Sequence, residues 1–478
     1  MTHGESRVTS HKSRREAPPL KVGQKATLRF HAFNAAGAGV ATYGPQTVAV
    51  PFALPGEEAV VEVTAATRLH AQGRMTAVLR KSAEVVEPRC RHFGRCGGCQ
   101  WQHLPYQAQL AAKTQLVRSV LAGSVDAGAV VRDALGSQPW QYRSRLQAAF
   151  ALRRERTVAG FSSVADEVVI NIQECPIQHP VNVRILLATR EIVGRLGWPV
   201  YDRGTGTGVL RGVIAQTAFA TGESMLVLCT TADVPDRMAF VRAATERLPE
   251  LRSVMISVRR PTTAELLGRT ELLWGRPFIT EVLSTGMGGG VRLNLYAAPS
   301  IPPNPGAFAT YLGAVRRAVG AARAVIDVAC DEGLIPLALS LASGEGPAQS
   351  RMRVVGVTAD RESMRRAWEN ATANGAEGCV FYTRAPAAVL AKLRARGATL
   401  DVLMATGRGG TVPPAVAAEA AAAGCGRIVY AGSSMTRLVD TIRSAGAAGY
   451  RLTDVQPVDL LPQTARVHVV ATLMRYAS

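Results

Sequence analysis

From about Lys21 to Pro88, apolar and polar positions alternate between closely spaced turn residues: Ala26-Thr-Leu-Arg-Phe30, Gly37-Ala-Gly-Val-Ala41, Thr47-Val-Ala-Val50 and Ala59-Val-Val-Glu-Val63. Short runs of period two, punctuated by Gly and Pro, predict a small β-barrel. A Cys-rich segment follows to about Gln102, then an amphipathic helical pattern over residues 106–121. Residues 127–298 read mainly as strands (Leu146 to Phe150, Val168 to Ile172, Met225 to Cys229, Ser253 to Ser257), with helical stretches at 181–196 and 235–247. From Pro303 onward, helical patterns alternate with buried apolar runs: Ala324 to Ala329, Val354 to Val357, Leu400 to Met404, Arg427 to Tyr430. That rhythm predicts a doubly wound α/β sheet.

At 478 residues the chain exceeds one ordinary core, and 47% hydrophobic with 19% charged residues suits a folded protein. Lys+Arg 55 against Asp+Glu 36 leaves a net charge of +19, which points to a polyanion, RNA or DNA being the commonest. A basic coding bias that favours Arg is the competing explanation. Residues 1–20 are polar and basic (His11, Lys12, Arg14, Arg15) without an apolar core, so a disordered arm rather than a secretory signal is expected. No run of apolar residues is long enough for a membrane span. The expected compartment is the cytoplasm, and the expected state a monomer.

Cys90, Cys96 and Cys99 form C-x5-C-G-G-C, and Cys175 in Glu174-Cys-Pro-Ile177 ends a strand pattern and would complete a set of four thiolates. Such a set suits an iron–sulfur cluster or a structural zinc, and spacing does not separate the two. Cys425 reads as a core residue.

The stretch from Cys90 to Gln102 closely resembles the cluster motif of bacterial RNA (uracil-5-)methyltransferases. The resemblance extends to the Leu54-Pro-Gly-Glu57 turn, to Tyr142-Arg-Ser-Arg145, and to the tail from Gly449 to Pro462. It implies a fold of three parts in the α/β class. Residues 21–88 would be a TRAM domain, an OB-like RNA-binding barrel. Residues 89–300 would be a central α+β domain holding a [4Fe–4S] cluster on Cys90, Cys96, Cys99 and Cys175. Residues 301–478 would be a Rossmann-like methyltransferase domain for S-adenosylmethionine.

Uracil methylation at the 5-carbon needs a thiolate that adds to the 6-carbon, a base that removes the 5-proton, and a cofactor pocket. The resemblance places these functions at Ser433 (nucleophile position, a cysteine in the family) and His468 (base position, a glutamate in the family). The cofactor loop reads Asp327-Val-Ala329-Cys330-Asp331-Glu-Gly333, with Asp331 where the family has a glycine. Thr358 stands for the ribose-binding acid, with Asp360 two residues on. Thr406 stands in the family's Asp-Pro-Pro-Arg motif, and Ile301-Pro302-Pro-Asn304 in its Phe-Gln-Val-Asn segment. A serine hydroxyl ionises far less readily than a thiol. These replacements imply an RNA-binding protein with weak or absent methyl transfer and little grip on S-adenosylmethionine. The rivals are an active methyltransferase of altered chemistry and a non-catalytic scaffold. The barrel and cluster together favour ribosomal RNA as partner, with transfer RNA as the alternative.

Overall fold

The computed structural model describes residues 18–122, 128–164, 168–260, 265–298, 301–342 and 352–476. The basic arm expected over residues 1–20 lies almost wholly outside them. The chain divides into two compact units, residues 1–88 with 100–108, and residues 89–99 with 109–478.

The first unit is a six-stranded sheet in the order Lys25–Arg29, Glu58–Ala66, His70–Arg80, Gln46–Val50, Gly39–Tyr43, Ala32–Phe33. The order leaves two end strands, a half-barrel. Alternation does what the sequence requires: Ala59, Val61 and Val63 point into the core, as do Val48 and Val50 on strand Gln46–Val50, two strands away. Register shifts at three points along the Glu58–Ala66 pairing curl the sheet. The Leu54 to Glu57 turn is locked by its own residues, since Leu54 N donates to Glu57 Oε2 (2.9 Å) and Gly56 holds φ 87°. Trp101 is fully buried here, donating to Gly37 O (3.0 Å) and packing in a tilted arrangement 4.8 Å from the Phe33 ring.

The second unit contains two large sheets. Seven strands run Val169–Asn171, Arg156–Ser162, Arg145–Arg153, Leu210–Thr217, Ser224–Thr230, Leu251–Val258, Arg269–Gly275. Helices Pro180–Arg195 and Arg237–Arg247 pack on this sheet, burying Ile185, Leu186 and Phe240 against Leu146, Leu226 and Val254.

The other sheet has eight strands: Cys379–Tyr382, Arg353–Val357, Ala324–Asp327, Val402–Ala405, Arg427–Gly432, His468–Arg475, Tyr450–Val458 and Val130–Val131. Its interior strands are apolar on both sides because both faces are covered. Val325, Met404 and Val429 meet the helices Phe308–Val319, Leu334–Ala342 and Arg361–Ala373. Ile326, Leu403 and Ile428 meet Pro386–Ala395, Pro414–Ala422 and Met435–Ala447. This is the doubly wound sheet that the alternating pattern predicts. Cys425 is fully buried in its core.

Helix Tyr106–Ala122 belongs mostly to this unit and buries a polar stripe, Gln109, Lys113 and Thr114, ahead of Val117 and Leu121. Lys113 and Asp459 form an ion pair with both side chains fully buried. Lys113 also donates to Leu461 O (3.1 Å), and Asp459 accepts from Leu461 N (3.0 Å). The pair pins the helix to the tail segment that leads into the last strand.

Candidate functional site

Strands Ala324–Asp327 and Val402–Ala405 are parallel neighbours, and the chain moves from the first toward one edge before returning to the second. The carboxyl ends of such a pair make the crevice where an open α/β sheet binds ligands. Here the two loops beyond the strands are stitched together. Asp327, fully buried, accepts from Ala329 N (3.1 Å), Thr406 N (3.3 Å) and Thr406 Oγ1. Burial outweighs those bonds and pushes its carboxyl up to about 6. Gly407 N donates to Ala329 O. Asp331 accepts from Arg408 N (2.9 Å) and lies 3.6 Å from the Arg408 guanidinium. Asp331 holds φ 47°, in the left-handed region that Asp tolerates better than most side chains. A Cβ on Gly407 would come within 2.9 Å of the Asp331 carboxyl, so the loops meet at a spacing that suits glycine.

The other cofactor positions serve the fold. Thr358 is buried, and its N–H donates to Tyr382 O (3.0 Å). Asp360 caps helix Arg361–Ala373, accepting from Ser363 N and Oγ at 2.8 Å each, and the backbone bond to Ser363 chiefly holds its carboxyl below the usual range. Gly333 holds φ 81°, and a Cβ there would come 2.8 Å from the Phe381 ring. Asn304 is buried, accepts from Ala307 N (3.2 Å) and donates to Ser137 Oγ (3.0 Å).

Beside the crevice lies a cavity of about 390 Å³ lined by Pro302, Asp331, Thr406, Ser433 and His468, together with Arg143, Arg145, Arg408 and Arg437. The structure thus brings the nucleophile and base positions to one space, whereas Asp327, Ala329, Gly333, Thr358, Asp360 and Asn304 are not among its lining residues. Ser433 is exposed at the end of strand Arg427–Gly432. Among the described residues no base is hydrogen-bonded to its hydroxyl. Ser434 caps helix Met435–Ala447, accepting from Arg437 N (3.3 Å). His468 opens the strand His468–Arg475, its Nδ1 buried without a hydrogen-bond partner and its ring 6.1 Å from Tyr311. Burial first, then Lys113 and Arg466, push its pKa down to about 4. His468 is therefore neutral at neutral pH, and taking a proton there is unfavourable.

Arg143, Arg145 and Arg437 were not singled out as site residues by sequence reasoning. The first two stand in the Tyr142 to Arg145 motif, whose geometry explains its residues. Tyr142 is buried and donates to Pro462 O (2.9 Å), Arg143 N donates to Ile177 O (2.9 Å), and Ser144 N to Pro303 O (3.1 Å). Three segments are tied at this point, and the arginines are turned to the cavity.

The four cysteines share one neighbourhood. Cys99 packs with Tyr142, Ile177 and Leu461, with Cys175, Phe93 and Trp140 around them. Burial raises the thiols of Cys90 and Cys96 and takes Cys175 to about 11, with the neighbouring Cys90 and Cys96 adding to the last. Gly97 N donates to Ser162 O (3.0 Å), fixing the loop at the end of strand Arg156–Ser162 of the seven-stranded sheet. The sharp turn falls on Gly94 (φ 83°). Among the described residues no group of three or more His, Cys, Asp or Glu side chains is placed as a ready-made metal site. The donor chemistry fits a thiolate-bound centre, while the geometry is gathered rather than closed. No helix among the described residues is long and apolar enough to cross a membrane.

No protein-family model matches the chain. An uncharacterized RNA methyltransferase of Halalkalibacterium halodurans is 30% identical over 450 residues, covering 91% of this chain and 94% of the relative. Another, of Caldanaerobacter subterraneus, is 28% identical over 466 residues, covering 95% and 99%. Among solved structures, the Pyrococcus abyssi tRNA (uracil-54, C5)-methyltransferase in complex with S-adenosyl-L-homocysteine superposes with a TM-score of 0.74 at 20% identity. The match covers 94% of this chain and 99% of that one, a likeness of fold.

Proposed function

The chain belongs to the RNA methyltransferase family, and from that premise we propose that it is an RNA-binding member whose methyl transfer to uridine is weak or lost. The observation that carries this reading is the stitched crevice. Asp327, Ala329 and Asp331 accept hydrogen bonds from Thr406, Gly407 and Arg408 respectively, where a cofactor would have to part the two loops. Among the described residues no base is bonded to Ser433, and the neutral, desolvated His468 is poorly placed to take up a proton.

In this reading residues 21–88 act as a TRAM-like RNA-binding barrel, and residues 301–478 retain the methyltransferase architecture. Cys90, Cys96, Cys99 and Cys175 would hold a [4Fe–4S] cluster, which when bound would cross-link the segments that carry them rather than react. Tyr142, Ile177 and Leu461 supply the packing around it. The preferred partner is ribosomal RNA, the chain acts as a monomer, and its place is the cytoplasm.

A second reading, an active methyltransferase of altered chemistry, is favoured by the open cavity in which Ser433 and His468 still face the same space. Titration of the purified chain with S-adenosylmethionine by calorimetry separates the two. Absence of binding, with retention of RNA on filters, is the expected result. Binding, together with a methylated nucleotide that disappears from cellular RNA with the gene and returns only with an intact Ser433, would establish the second reading.

A further inference from the structure

We propose that the cavity beside the crevice is a phosphate pocket that seats one nucleotide of the bound RNA through Arg143, Arg145, Arg437 and Ser433. The inference rests on the RNA-binding reading above and names the group recognised there.

The first ground is uncompensated charge. Four arginines line the cavity, Arg143, Arg145, Arg408 and Arg437, and two carboxylates, Asp331 and Glu332. Both carboxylates are engaged. Asp331 takes the Arg408 backbone N–H and faces its guanidinium at 3.6 Å, while Glu332 accepts from Arg366 Nη1 (2.7 Å). Among the described residues no carboxylate pairs with Arg143, Arg145 or Arg437. Arg145 donates only to the neutral Gln216 Oε1 (2.9 Å), Arg437 to the carbonyl of Arg408, and Arg143 Nε is buried without a partner. A partly buried cation with no counter-ion is costly, and several together are more so.

The second ground is proximity. Desolvation lowers Arg145 to about 10, and the like charges of Arg408 and Arg143 add to the effect. Arg145 thus lies close enough to Arg408 and Arg143 to feel their repulsion. An anion between them would relieve that repulsion and supply the missing acceptors. A phosphate, with several oxygens around one centre, matches guanidinium donors better than a nucleobase does.

The third ground is the remaining wall. Helix Met435–Ala447 opens at Ser434, directly after Ser433, and both serines line the cavity. A 13-residue helix directs its amino end, and the partial positive charge there, toward the same space. Thr406, the neutral His468 and Ser433 add no negative charge, and the Ser433 hydroxyl suits a polar oxygen ligand.

The test is calorimetry of the full chain at low salt with inorganic phosphate, uridine 5′-monophosphate and uridine, alongside filter retention of a uridine-rich oligoribonucleotide. The monophosphate should bind roughly tenfold or more tightly than the nucleoside, as charge-assisted bonds to phosphate imply. Arg437→Gln and Arg143→Gln should each reduce that preference several-fold. Ser433→Asp, at an exposed position where folding is easily kept, should erase it by adding a like charge. Uridine bound as tightly as its monophosphate overturns the pocket, as does an unchanged preference in Ser433→Asp. If RNA is retained in that case, the RNA-binding reading survives. A phosphate preference without RNA retention overturns the RNA-binding reading, and with it the assignment of the ligand to RNA.

Discussion

His468 offers the sharpest test of the site's electrostatics. Its folded-state pKa is pushed down to about 4 from the ordinary 6.5, burial being the largest cause. A histidine depressed by folding binds fewer protons in the native state than in the unfolded chain between those two values. Stability therefore falls as pH drops through 6.5 toward 4, and is insensitive to this group above about 7. With these two values, lowering pH from 7 to 5 costs ~2 kcal/mol through His468 alone, each pKa unit being worth about 1.4 kcal/mol. Other groups titrate in the same window, so the comparison must be with His468→Gln, which keeps a neutral polar side chain. The lost ring contact with Tyr311 shifts the variant equally at both pH values and cancels in the difference. Urea unfolding of both proteins at pH 7 and pH 5 gives the four midpoints required. The wild type should lose ~2 kcal/mol more than the variant between the two conditions. Parallel losses, within ~0.5 kcal/mol, would mean that His468 is solvated and titrates normally, and the argument that it is a poor base would fall.

Breaking the buried pair by Lys113→Met should cost ~3–5 kcal/mol in urea unfolding, and the double change Lys113→Met with Asp459→Leu should recover most of it; equal losses in the single and double variants would sink that account. Protein prepared without oxygen and with iron supplied should carry about four irons and absorb in the visible, and Cys96→Ala or Cys175→Ala should bleach it. Stoichiometric zinc without colour would rule the cluster out. Ser433→Cys should not restore uridine methylation in a radioactive methyl-transfer assay, because losses in a site that works as a unit are not recovered singly; measurable turnover would refute this. Reversing Arg29 and Arg68, both exposed on the first unit, should lower the salt slope of RNA binding by roughly 1–2, whereas an unchanged slope would move the RNA elsewhere. Arg74 is a weaker choice because it already pairs with Glu62 at 3.1 Å.

Local pattern made much of the architecture legible. A period of two is enough to place Ala59, Val61 and Val63 on one face, and apolar runs such as Ala324 to Ala329 mark strands covered on both sides. The longest strand of the first unit, His70–Arg80, escapes such reading because it buries only Ala71 and Gly73, leaving no apolar alternation. Helix Tyr106–Ala122 is visible by period, but the polar stripe that it buries is not. Lys113 is an ordinary surface residue by type, and its burial depends on Asp459, 346 residues away.

The sequence by itself determined the period of each element, the spacing of Cys90, Cys96 and Cys99, and the residue types at Ser433, Asp331 and His468. These properties are carried by residues close together in the chain. Tertiary structure alone decided what those residues do. It spent Asp360 on a helix cap, joined Asp331 to Arg408 across 77 residues, and left His468 half-buried near Lys113 so that its proton affinity is lowered. It also gathered Arg143, Arg145 and Arg437 around one cavity where, among the described residues, none of them pairs with a carboxylate. Desolvation and charge proximity depend on which distant segments pack together, and no local pattern encodes that.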